Sequence, residues 1–539
     1  MFIRGIFWIF GKEKLCLYIL IWLIVTVALF KISLFHSFGD ENDTFVAGWL
    51  ILKGLIPYQD FFFHHAPLTF FLAGLAEWMT PGRGLITMRW LVVFLHSLVW
   101  LWLFLNSHPR FRKSLAISML MISFWIVPNF NLQMMLPDTL ITLSLILWSF
   151  STLGWITTNQ PNLTQVIKIG LLATIVCIDN SIASTVPIGA IWLFIGIKVF
   201  SAGGWISITS ILKNHQKLFI WSLITQFIWL VYFGIHDSLS KFWWSVFTFN
   251  QKYYFPLHLA DGELELKFGM LFRIVNQFGR FLISQTIMLG QAIWVFGLSL
   301  LHLPQVIIND SPSSILPYLT VVNHEFFQTI TQQRMSWLIG LLVIGLFLLQ
   351  KHWKLFFMAI FLAASLWFRS NEVFHLAPFV TELIIGLSII ITGVISTKST
   401  TKELVWKIMA GLSLSLMAIS LQPQMMQTLA QKPPIIKPNS LSMAEIIANN
   451  VHGEKALVVG GENLLYYLAN VEQSSVYGHY YPWFAQTDTI KQEVSDQLTN
   501  SIPKVVIFDP AGEHDFRSDF YPIIAKNYIL IDDRGIWVR

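Results

Sequence analysis

Asp40, Glu41, Asp43, Asp60, His64 and His65 fall within one short stretch, GDENDTFVAGWLILKGLIPYQDFFFHHAPL, from Gly39 to Leu68. A carboxylate placed beside a hydroxyl or amine can take its proton, and an imidazole can donate or accept one near neutrality. The stretch abuts an almost uninterrupted apolar run, Leu15 to Phe30. Ionisable groups are expensive in hydrocarbon and unremarkable in water, so such a cluster is either a solvated loop or a site built at a bilayer surface. Oxygen and imidazole ligands from Asp40, Asp60, His64 and His65 suit several divalent ions. Their spacing fits no defined ligand motif, so neither a metal nor another cofactor is expected.

The elements that must position these residues follow from composition. The chain has 539 residues, 55% of them hydrophobic, 15% aromatic and only 12% charged, with a mean hydropathy of +0.61. That is too apolar for an ordinary soluble protein. Apolar runs separated by short polar punctuation, without alternating strand patterns, predict an α-helical polytopic membrane protein of roughly 11–13 transmembrane helices rather than a barrel. Cys16 and Cys177 lie far apart in apolar segments, which supports neither a disulfide framework nor a cysteine metal site. The net charge of +5 reads as cytoplasmic anchoring of loops, not as a nucleic-acid surface.

Arg4, Lys12 and Lys14 precede the first apolar run, so its N-terminus is expected in the cytoplasm, as an uncleaved helix, and the Gly39 loop outside. Within that loop the spacing of Phe45, Val46, Trp49, Leu50 and Leu52 predicts a short amphipathic helix from Asp43 to Gly54. Asp43 would be its N-cap and Trp49 would lie at headgroup level. Spans follow near 85–105, 114–128 and 137–152, with Arg110, Arg112 and Lys113 inside and Asp138 opening a helix on the outer side. The apolar stretch Val166 to Phe200 is too long for one helix and divides at Asp179, Asn180 and Pro187. Lys217 to Gly234 crosses outward again, before an outer segment with Tyr253 and Tyr254. Counting from both ends breaks parity across 281–337, where a re-entrant segment or a further span is required. The domains are a membrane domain over 1–421, a Pro-rich linker over 422–440 and an external α/β domain over 441–539.

Asp40 and Glu41, the following helix, then Pro57, Tyr58, Asp60, Phe61, His65, Pro67 and Leu68 form a pattern with a familiar counterpart. It resembles the first external loop of the GT-C type membrane glycosyltransferases, the superfamily of protein O-mannosyltransferases and lipid A aminoarabinose transferases. Further similarity covers Pro137 and Asp138, the stretch RSNEVFHLAP from Arg369 to Pro378, and an α/β tail after the last helix. The resemblance spans most of the chain as organisation, with its sharp motifs in the first loop.

What the resemblance implies is transfer of a sugar from a polyprenyl-phosphate donor to a lipid, glycan or protein acceptor at the outer face of the cell membrane, without an obligatory metal. It makes Asp40 the base, with Glu41 assisting or orienting it. The position that is often lysine in the aminoarabinose transferases is His65 here, so phosphate stabilisation would need a protonated imidazole, or help from Arg369 or His375. Tyr58, Asp60, Asp138, Tyr253 and Tyr254 are further candidate contacts to donor, carrier or acceptor. His64 is a weaker one, because adjacent residues usually point apart. The rival class is a membrane transporter or lipid flippase, which calls for ionisable residues mid-span and an internal repeat of broken helices. A lapsed relative serving as a scaffold is a third reading.

Overall fold

The computed structural model describes residues 13–158, 163–181, 185–254, 377–392, 434–460, 462–478, 487–508 and 517–539. The molecule is mostly helical with one small sheet. Helices α1 (Glu13–Ile32), α2 (Gly39–Leu52), α3 (Leu68–Met79), α4 (Gly84–Asn106) and α5 (Arg112–Met121) come first. Next are α6 (Pro137–Thr158), α7 (Leu163–Asn180), the helical segment α8 (Thr185–Ile235), α9 (Leu239–Trp243) and α10 (Ala377–Thr392). Gly84–Asn106, Leu163–Asn180 and Lys213–Ile235 are long and apolar enough to cross a membrane, and Cys16–Ile32 and Leu68–Met79 are shorter apolar helices. Arg369, His375, the 281–337 region and the expected last span at 404–421 lie outside the described residues.

The α8 segment cannot be straight. At 1.5 Å per residue, Trp192 and Phe219 would stand about 40 Å apart on one axis, yet their ring centroids are 6.4 Å apart. Gln226 Nε2 likewise reaches back 2.8 Å to Asp179 Oδ1 at the end of α7. The segment therefore doubles back between Trp192 and Phe219, where the sequence holds Ser201, Gly203 and Gly204. Two antiparallel limbs result.

Helix α10 packs along α6 and α5, with Ser149 Oγ donating to Glu382 Oε1 at 2.8 Å and Ser114 Oγ 2.5 Å from Thr392 Oγ1. Its start at Ala377 thus points to the same end of the bundle as Asp138. At that end also lie α2 and the last turns of α8, whose Phe233 ring is 5.2 Å from Tyr58.

Helix α2 departs from the expected amphipathic surface helix. It begins at Gly39, with Phe38 rather than Asp43 as N-cap, and every residue from Glu41 to Leu50 is buried. The helix is covered on all sides, so a single apolar stripe is not what positions it. Its close approach to α3 needs glycine, because a Cβ at Gly48 would sit 2.4 Å from Gly74 N and 2.7 Å from Phe70 O. The C-terminal stop at Gly54 stands as read. Gly54 has φ +88, its N–H bonds Ile51 O at 2.9 Å and the Leu55 N–H bonds Leu50 O at 3.1 Å, closing a Schellman turn.

After the bundle come α11 (Pro438–Val451), β1 (Ala456–Gly460), α12 (Leu465–Leu468), α13 (Asp488–Asp496), β2 (Val505–Phe508), α14 (Arg517–Asn527), β3 (Ile529–Asp532) and β4 (Ile536–Val538). Helix α11 starts inside the expected linker, and β4 is an element the reading of the sequence missed. The sheet order is β1-β2-β4-β3, with β1 and β2 parallel and the other pairs antiparallel. Strand alternation then sorts the side chains into two layers. Ala456, Val458, Val505, Ile507 and Ile536 join the core that contains α2, α3 and α4. Leu457, Val459, Val506, Phe508 and Trp537 pack instead on α13 and α14 and on Phe249.

Candidate functional site

Asp40 lies in the first turn of α2, half-buried, and among the described residues no side chain hydrogen-bonds its carboxylate. A helix N-terminus favours the ionised form, but here burial, and then the nearby Asp138, push the carboxyl up to about 6. Asp138 opens α6 and is itself buried. Asp43, one turn along from Asp40, is buried. Burial above all, with Asp40 and Glu462 as neighbours, holds it well above the usual carboxylate range.

Glu41 points away from this cluster. Its carboxylate takes Arg89 Nε at 3.0 and 2.9 Å and a further contact from Arg89 Nη2, with both side chains sealed from solvent. The rest of the guanidinium is spent on Ser33 O, Phe35 O and His36 O at 3.0, 2.8 and 2.7 Å. Glu41 is therefore committed to an ion pair that ties α2 and the preceding loop to α4. Arg89 was missed. An arginine inside an apolar span is the sequence signal that could have found it, because such a charge requires a partner.

The loop after α2 is braced by its own candidate residues. Tyr58, at φ +66, is buried between Phe233 and Phe242, and its hydroxyl donates to His65 O at 2.7 Å. Asp60 Oδ2 accepts the Ile56 N–H at 2.7 Å. Both are thus engaged in folding the loop. The rings of His64 and His65 lie side by side, centroids 4.0 Å apart, instead of pointing apart. Tyr253 rests on Phe249 with Lys252 Nζ 5.2 Å above its ring, and the backbone of Tyr254 closes the same run of wide helical turns.

The C-terminal domain roofs the loop through residues 462–478. Tyr467 sets its ring edge-on to Phe45 and Trp49, at 4.8 and 5.8 Å, and its hydroxyl to the Glu77 carboxylate at 3.2 and 3.3 Å. Lys53 Nζ donates to Asn470 Oδ1 at 2.8 Å, Gln473 Nε2 to Asp60 O at 3.0 Å and Phe62 N to Val476 O at 2.8 Å. Lys437 pairs with Glu462 at 3.0 Å, beside Asn463. Between loop and roof lies a cavity of about 20 Å³, room for about one water, lined by Phe61, Phe62, His64, Asn463 and Gln473 among others.

Asp138 thus lies within electrostatic reach of Asp40, and Asp40 and Glu462 within that of Asp43, while Glu41 is set aside in its pair with Arg89. Among the described residues no three histidines, cysteines or carboxylates converge as a metal cluster. The half-buried Asp40 carboxyl can accept a proton. No protein-family model matches the chain, and no curated protein matches it significantly. Fold and site together define a mostly helical chain, with helices long and apolar enough to span a membrane and a loop after α2 roofed by the C-terminal domain.

Proposed function

We propose that this chain is an integral membrane glycosyltransferase that passes a sugar from a polyprenyl-phosphate donor to an acceptor at the outer face of the cell membrane, with Asp40 as general base. One observation carries the reading: the half-buried Asp40 carboxyl, bonded by no side chain among the described residues, has its basicity raised to about 6. A base works best when its pKa lies near the ambient pH, and a partly dehydrated site keeps water from competing for the sugar. Asp40 takes the proton of the acceptor hydroxyl or amine as its oxygen or nitrogen attacks the sugar carbon and the bond to the carrier phosphate breaks. His65, with Arg369 and His375, meets the departing phosphate. The resemblance of the first loop supports the same assignment.

The test is transfer from defined polyprenyl-phosphate sugars to envelope acceptors by the purified, reconstituted chain, with lipid-linked sugars of gene-deleted cells indicating which donor to use. Asp40→Asn is expected to abolish transfer while leaving the protein inserted and folded. Full activity of that variant removes Asp40 as the base.

The transport reading draws on a different observation, the buried carboxyl of Glu382 in α10, bonded by Ser149. Ionisable groups at such depth are costly and commonly functional. A Glu382→Gln variant that keeps transfer but stops lipid or ion movement across vesicles would favour that class.

A further inference from the structure

Helix α3 (Leu68–Met79) carries a single charged residue, Glu77, yet its 12 residues reach only about 18 Å, well short of the about 30 Å of a hydrocarbon core. Its two sides differ. Gly74 meets α2 at Gly48. Glu77 is buried: its carboxylate accepts the Gly82 and Gly84 N–H groups at 2.9 and 3.0 Å, and the hydroxyl of Tyr467 in the C-terminal domain lies 3.2 Å away. Leu75, two residues before Glu77 and thus about 200° round the helix from it, is 44% exposed. Trp78 and Met79, three and four residues on from Leu75 and so on its face, are 69% and 60% exposed. The helix therefore turns Glu77 to the C-terminal domain and an apolar stripe the opposite way.

Both neighbours of this stripe are helices long and apolar enough to cross a membrane, α4 and the Lys213–Ile235 limb of α8. Phe71, one turn before Leu75, packs on Trp229 at 5.1 Å and Tyr232 at 5.5 Å. Trp229 lies six residues, about 9 Å, before the end of its helix, so α3 meets that span below its end, at the depth of acyl chains. On the other side α4 leaves Trp90, Phe94 and Leu98 exposed at four-residue spacing. Leu91 and Leu95 of α4 and Leu72 of α3 are half-buried against one core, and the exposed stripes of the two helices adjoin across them. Arg83, four residues past Met79, is exposed and within reach of headgroup phosphates. We propose that α3 is a half-span seated in the leaflet on the side of the C-terminal domain, with lipid acyl chains against Leu75, Trp78 and Met79 and Arg83 at phosphate level. Lipid and the C-terminal domain then hold α3, and through Gly74 and Gly48 also α2, from opposite sides. The inference rests on exposure and packing, not on sugar transfer.

The experiment uses the full chain, with Cys16→Ser and Cys177→Ala, in nanodiscs of phosphatidylethanolamine and phosphatidylglycerol. A nitroxide is attached in Leu75→Cys, Trp78→Cys or Met79→Cys. Phe94→Cys is the reference on a span, and Glu454→Cys, exposed on the C-terminal domain, is the reference in water. Electron paramagnetic resonance compares collisions of each label with oxygen and with a water-soluble nickel chelate. The oxygen-to-nickel ratio at the three α3 positions is expected to match that of Phe94→Cys and to lie several-fold above that of Glu454→Cys. A ratio at the Glu454→Cys level puts the stripe in water and overturns the proposal. An immobilised label that neither reagent reaches overturns it too, because protein then covers the stripe. A second arm leaves the sequence untouched: photolysis of a phospholipid with a diazirine in its acyl chain should modify the α3 peptide as well as the α4 peptide. Modification of α4 alone sinks the half-span.

Discussion

Arg89 and Glu41, 48 positions apart in sequence, form an ion pair sealed from solvent, in which the guanidinium also gathers three carbonyls of the loop between α1 and α2. The donors of one arginine are thus shared between the Glu41 carboxylate and the backbone that leads into Asp40. Glu41 and Asp40 are neighbours with opposite duties, because consecutive residues on a helix point about 100° apart. One is sealed from solvent and the other is half-buried.

Breaking that pair leaves a buried charge without compensation. Glu41→Gln is expected to destabilise the protein by about 3–5 kcal/mol, read as a lower thermal midpoint in detergent. Arg89→Lys should rescue little of an Arg89→Ala loss, since an ammonium cannot reproduce the planar fork. If Glu41→Gln keeps wild-type stability and loses only transfer, Glu41 belongs to the chemistry after all.

For Asp40 the sign of the pH dependence follows from its raised carboxyl. The base form is lost as pH falls through about 6, so transfer should decline tenfold per pH unit below that point. Stability runs the other way. A carboxyl raised from 3.8 to about 6 on folding contributes stability that is fully present below its unfolded value and is lost as pH rises through the folded one. Unfolding of wild type and Asp40→Asn across pH 4–7 should therefore differ in slope within that window and run parallel above it.

The roof depends on Tyr467. Tyr467→Ala removes a ring packed on Phe45 and Trp49 and is expected to cost about 3–5 kcal/mol, enough to release the C-terminal domain. Tyr467→Phe deletes only the hydroxyl on Glu77, for about 1 kcal/mol. Limited proteolysis between the bundle and α11 should cut the alanine variant fastest. Equal cleavage of all three proteins would mean that the domain is held by other contacts.

At Gly48 there is no room for a side chain. Gly48→Ala forces α2 away from Gly74, and since overpacking typically costs about 1–3 kcal/mol, both the thermal midpoint and transfer should drop. Gly39→Ala, where a Cβ meets nothing within 4 Å, is the matched control expected to show no such loss.

Much of this architecture is legible in local pattern. The apolar run at Gly84–Asn106, the turn at Gly54 and the α/β character of the C-terminal domain follow from hydropathy, chain length and punctuation, which act between neighbours on one element. Strand β4 was missed because three residues after a turn carry too little periodicity. The amphipathic reading of α2 failed for a physical reason: a helix enclosed by other elements loses the contrast between faces on which the pattern relies.

The acidic stretch from Gly39 to Leu68 was a candidate site from residue types alone, and Asp40 remains at its centre. Which of its groups are spent on structure was decided by packing. Glu41 meets Arg89, and Tyr58 and Asp60 fold their own loop. Sequence spacing determines which residues share a helix face. The elements brought against that face, and hence the burial and charge that separate Asp40 from its neighbours, are properties of the tertiary structure, because desolvation and Coulomb interactions depend on distance in space.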